Sequence, residues 1–131
     1  MTKRGQFRCA FDAQDYDASV AFYREGLELE VIDSWDRGPG DRGTLFRAAS
    51  GIIEVLTLPE RPDVDGALGD YVPPQGISVM IETEDVSGYY RRCEEKGLAV
   101  KEPLADQPWG HRRFVLTDPD GLRLYFFSEI K

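Results

Sequence analysis

Along its first stretch the chain alternates Phe7, Cys9 and Phe11 with Arg8, Ala10 and Asp12, the period-two signature of a strand with one buried face. The period then changes. Ser19, Phe22, Tyr23 and Leu27 fall within one arc at about 100° per residue, which predicts a helix capped by Asp15 or Asp17 and ending near Gly26 to Glu28. Strands are predicted at about 30–35, 43–48 and 52–58, separated by the turn-rich run from Asp36 to Asp41 and by Ser50-Gly51. Pro59, Pro62, Pro73 and Pro74 mark 59–75 as a connecting segment.

The same order then repeats. A strand is predicted at 77–83, followed by a helix capped by Asp85, whose Val86, Tyr89, Tyr90 and Cys93 keep i, i+3, i+4 and i+7 spacing and which Gly97 ends. Strands near 99–102, 111–117 and 122–128 complete the half. The last two are joined by Asp118-Pro119-Asp120-Gly121, where proline presets φ and glycine accepts a positive φ at the exit. Each half therefore reads β-α-β-β-β, with module 1 at about 6–58 and module 2 at about 76–129 of a single α+β domain spanning 1–131, and Asp15 and Asp85 standing 70 positions apart.

Composition narrows the class. At 131 residues with 41% hydrophobic and 31% charged, the chain holds one good core, and its net charge of -8 disfavours binding to a phosphate backbone. No apolar run approaches the roughly 20 residues that span a bilayer, and Met1 to Gly5 lack the hydrophobic stretch of an export signal, so a cytoplasmic protein without membrane or nucleic-acid partners is expected. Cys9 and Cys93 stand apart on a strand and an apolar helix stripe, positions suited to reduced thiols.

Asp15 with Ser19-Val20-Ala21-Phe22-Tyr23 and Leu27, followed by Pro108-Trp109-Gly110 and Asp118-Pro119-Asp120-Gly121, resembles the glyoxalase, bleomycin-resistance and extradiol-dioxygenase (vicinal oxygen chelate) superfamily over nearly the whole chain. The resemblance implies two β-α-β-β-β modules forming incomplete-barrel sheets around a cleft, and a homodimer. In metal-using members one residue on the first strand and one on the last strand of each module hold the ion. Those positions correspond here to Arg8, Glu54, Ser78 and Tyr125, of which Glu54 alone keeps a usual ligand type. An arginine cation is electrostatically the wrong neighbour for a divalent ion, so no metal and no other cofactor is expected.

Period-two parity places Ile52, Glu54 and Leu56 together, and likewise Ser78 with Met80 and Glu82, and Tyr125 with Phe127, on faces expected to line the cleft. Trp35, Phe46 and Trp109 are candidates to add flat aromatic surface, and His111 to supply a hydrogen bond at the rim. No nucleophile elbow or phosphate loop is evident. The resulting expectation is metal-free binding or sequestration of a small aromatic or cationic molecule, as in bleomycin-resistance-type proteins, with no catalytic residue. The alternative is a lyase, isomerase or dioxygenase that uses a divalent Zn, Ni, Mn or Fe ion.

Overall fold

Two helices and eight strands make up a computed structural model that describes residues 5–58 and 71–130. The chain divides at Val72/Pro73 into two compact units. Most of the predicted connecting segment lies outside the described residues; Tyr71 to Gln75 have no regular structure.

In the first unit β1 (Arg8–Ala13) pairs in parallel with β4 (Gly51–Thr57), and β4, β3 (Arg42–Ala48) and β2 (Val31–Asp36) follow antiparallel, giving the order β1-β4-β3-β2. The helix α1 (Tyr16–Ala21) starts where Asp15 accepts a hydrogen bond from the Ala18 N–H at 3.1 Å, so Asp15 is the cap. Asp17 instead pairs with Arg42. From Phe22 to Gly26 the helix widens into a π-helical turn, with the Leu27 N–H donating to the Phe22 carbonyl at 2.8 Å. The predicted arc survives this change because Ser19, Tyr23 and Leu27 all remain essentially inaccessible. Tyr23 is the centre of the core, 6.1 Å from Phe11, 5.1 Å from Phe22 and 5.6 Å from Phe46 between ring centroids. Phe7, predicted to share the buried face, precedes β1 and is 75% exposed.

The second unit repeats the topology as β5-β8-β7-β6, with β5 (Ser78–Glu82), β6 (Val100–Asp106), β7 (His111–Thr117) and β8 (Arg123–Glu129). Its helix α2 (Val86–Glu95) is capped by Asp85, which accepts from the Gly88 N–H at 3.0 Å. A side chain at position 88 would press on that carboxylate, which would have to shift to keep the cap. Tyr89 and Tyr90 pack on Phe126 and Phe114, with centroids at 4.9 and 5.1 Å. β6 runs past its predicted end and through Pro103, which has no N–H to donate; it does so at the edge of the sheet, beside register shifts at Glu102 and Ala105.

The turn between β7 and β8 is built around Asp118. Its Oδ1 accepts hydrogen bonds from the N–H groups of Asp120 and Leu122, both at 2.9 Å, while Gly121 takes φ +90°. That closure fixes the β7–β8 register from Thr117↔Arg123 to His111↔Glu129 and thereby decides which side chains share a face.

Candidate functional site

Within each unit the helix covers one face of the sheet, and the candidate residues are sorted by whether they occupy the other. In the first unit the register sets Arg8 beside Ile52, Ala10 beside Glu54 and Asp12 beside Leu56, with Gly43, Leu45 and Arg47 opposite Leu56, Glu54 and Ile52 on β3. These residues form the helix-free face. Arg8 Nη1 reaches Glu54 Oε1 at 3.2 Å and its Nε and Nη2 donate to Gln6 Oε1, so Arg8 and Glu54 form an ion pair. Ile52 is buried on this face and Leu56 half-buried. Burial raises the carboxyl pKa of Asp12 above its ordinary value of 3.8.

Trp35 belongs to the same face, its indole lying over Gly43, where a Cβ would collide with the ring. Arg37 stands over the indole, 5.7 Å from its centroid. Phe46 does not belong there. It pairs with Ile53, is fully buried and packs on Tyr23 beneath the helix, so the ligand contact expected of it gives way to a core role. Apolar residues occur on both sides of β3, and parity within the strand cannot tell which side the helix covers.

The second unit gathers more of the expected residues. Ser78, Met80 and Glu82 on β5 lie beside Arg123, Tyr125 and Phe127 on β8, away from α2, while Leu124 and Phe126 are buried beneath it. His111 stacks on Phe127 with centroids 4.4 Å apart and ring planes 18° from parallel. Met80 is 63% exposed and Trp109 58%.

One residue here escaped sequence reasoning. Arg113, opposite Phe127 on β7, lays its guanidinium over two candidate rings, with Cζ 5.1 Å from the Trp109 centroid and 4.9 Å from that of Tyr125. Its side chain is only 18% exposed, and its single hydrogen bond among the described residues runs from Nη2 to Glu102 Oε1 at a long 3.4 Å. The Nε–H is shut off from solvent and meets no acceptor, a loss of about 1–3 kcal/mol for a stranded donor. Stacking on rings leaves a guanidinium its edge for hydrogen bonding. The signal that could have found it is parity with Tyr125 and Phe127 across the hairpin.

Two further recesses lie beside the helices. One of about 380 Å³ in the first unit is lined by Tyr16, Asp17, Trp35, Asp36, Arg42 and others, and Arg42 is neutralised within it by Asp17 at 3.1 Å and Asp36 at 3.5 Å. The other, about 300 Å³ in the second unit, includes Glu84, Asp85, Arg112 and Glu129; Arg112 is bound to Asp106 at 2.6 Å, which holds the Asp106 carboxyl below its ordinary range.

This chain belongs to the Glyoxalase/Bleomycin resistance protein/Dioxygenase superfamily, whose family model matches residues 6–126. Uncharacterized proteins of Mycobacterium bovis and Mycobacterium tuberculosis are 27% identical to it over 114 residues, covering 82% of this chain and 72% and 64% of theirs. The chain thus spans less than two thirds of the M. tuberculosis relative. Among solved structures, TioX from Micromonospora sp. ML1 is similar with a TM-score of 0.78 at 19% identity, covering 97% of this chain and 100% of that one. TnmS3, an antibiotic binding protein from Streptomyces sp. CB03234, gives 0.72 at 20% identity, with 98% of both chains covered. Lactoylglutathione lyase from Agrobacterium tumefaciens gives 0.69 at 22%, covering 97% and 95%. These likenesses establish the glyoxalase/bleomycin resistance fold.

The residues at the family's metal positions do not suit an ion. Arg8 puts a cation against Glu54, and Ser78 and Tyr125 offer only hydroxyl groups, not the imidazole, carboxylate or thiolate donors such an ion takes. Among the described residues no three His, Cys, Asp or Glu side chains gather as a metal site needs. Nor is any described helix long and apolar enough to cross a membrane.

Proposed function

We propose that the protein binds a small planar aromatic molecule reversibly, without a metal and without changing it chemically. The observation that carries this reading is the set of rings on the helix-free face of the second unit: His111 stacked on Phe127, and Trp109 and Tyr125 around Arg113. Aromatic side chains held flat at a half-exposed surface favour a flat apolar partner through stacking and area burial. Because Trp109 and Tyr125 already face a cation of the protein's own, an aromatic ligand is favoured over a cationic one. The antibiotic-binding description of TnmS3 is compatible with this role, although at 20% identity that likeness carries the fold alone.

The test uses a neutral probe, 2-naphthamide. Tryptophan fluorescence should change saturably with a dissociation constant below about 100 µM, some 5.5 kcal/mol of binding. The probe should be recovered unchanged by chromatography. Conversion of the probe, absence of saturable binding, or binding that depends on stoichiometric Zn, Ni, Mn or Fe in protein purified without chelator would each overturn the proposal.

A further inference from the structure

We infer that Arg113 makes the site selective for planar aromatic acids, molecules whose carboxylate lies in or near the plane of an attached ring. The inference rests on the binding reading above and names its ligand class. Arg113 carries five N–H donors, of which one meets an acceptor, and that one at 3.4 Å. Its Nε–H has none. The rings of Trp109 and Tyr125 lie against the guanidinium, so the side chain is braced in position and its edge is what remains for a ligand. A carboxylate meets a guanidinium edge with two parallel hydrogen bonds, a geometry that an ammonium or a neutral amide cannot reproduce. The aryl group attached to that carboxylate would continue along the surface formed by Tyr125, Phe127 and His111.

Glu102 pairs weakly with Nη2, and Glu82 and Glu129 stand on the same face at strand ends, beside Phe127 and opposite His111. With a net charge of -8 the protein as a whole also repels anions. A preference for an acid therefore cannot arise from the overall field and reports a local contact.

Three ligands of nearly equal shape test the inference at pH 7: 2-naphthoate, 2-naphthamide and 2-naphthylmethylammonium, each titrated against the full chain by tryptophan fluorescence and calorimetry. Naphthoate should bind about tenfold or more tighter than the ammonium, with the amide between them. In Arg113→Gln the naphthoate affinity should fall about tenfold while the amide stays within about threefold. Should Arg113→Gln fail to fold by circular dichroism, the order of the three affinities in the wild-type protein decides. Equal or tighter ammonium binding, or an Arg113→Gln protein that keeps the acid preference, overturns the inference. Amide binding without any charge preference would sink selectivity and leave the binding reading standing; failure of the amide to bind would end both.

Discussion

Replacing Asp118 by alanine removes the one oxygen that accepts the N–H groups of both Asp120 and Leu122. Asp118 is 5% exposed, Asp120 9% and Leu122 2%, so water cannot readily take the place of the carboxylate. Each stranded donor costs about 1–3 kcal/mol. Two backbone bonds remain, Gly121 N–H to the Asp118 carbonyl at 2.9 Å and Asp118 N–H to the Leu122 carbonyl at 3.0 Å, and they let the turn relax in part. The expected loss is therefore in the lower half of the summed range, about 2–4 kcal/mol. For a domain of this size that corresponds to a fall in Tm of roughly 6–18 °C, read by far-ultraviolet circular dichroism with urea titration as a second measure. Asp118→Asn keeps an accepting oxygen and gives up the charge, so its loss should be about 1 kcal/mol. An alanine variant within 2 °C of wild type (roughly 0.5 kcal/mol) would refute the view that this carboxylate closes the turn. An asparagine variant as unstable as the alanine one would show that the charge, and not the acceptor, matters.

Asp12→Asn should stabilise the protein at pH 7. Burial raises the folded pKa of Asp12 above 3.8, so its penalty is absent below the unfolded pKa and grows as pH rises through the folded one; urea midpoints of variant and wild type should accordingly converge near pH 4. Convergence at pH 7 instead would remove desolvation as the cause. Gly43→Ala drives a methyl into the Trp35 indole and should cost about 1–3 kcal/mol, with a red shift of tryptophan emission as the ring is displaced towards water. Unchanged emission would mean that the indole does not rest on Gly43.

Much of the fold was legible because local chemistry and period agree at the same residues. Asp15 and Asp85 open their helices, Asp118 to Gly121 close the last hairpin, and alternation along β4 and β8 correctly separates Ile53 and Val55 from Glu54, and Leu124 and Phe126 from Tyr125. What stayed hidden depended on register between strands. Phe46 faces the helix because it pairs with Ile53, and nothing within β3 records that pairing. The π-helical turn was invisible because Ser19, Tyr23 and Leu27 fit ordinary helical spacing. Arg113 was missed because an arginine between His111 and Val115 reads as a solvated strand residue; its value comes from Trp109 and Tyr125, which reach it from the preceding loop and the next strand.

The β7–β8 hairpin also separates what can change from what must stay. Phe114, Leu116, Leu124 and Phe126 are packed under α2, where substitution leaves cavities or clashes, while of the alternate positions only Val115 is fully buried and His111, Arg113, Tyr125 and Phe127 lie outside that core. Asp118 holds the two sets in phase from one end. A lineage, or an engineer, could therefore exchange the second set to suit a new ligand while the first preserves the sheet, so long as the turn is untouched. Under the proposed binding role, ligand preference would rest on the accessible alternate residues of two short strands, an arrangement that lets specificity diverge at little risk to folding.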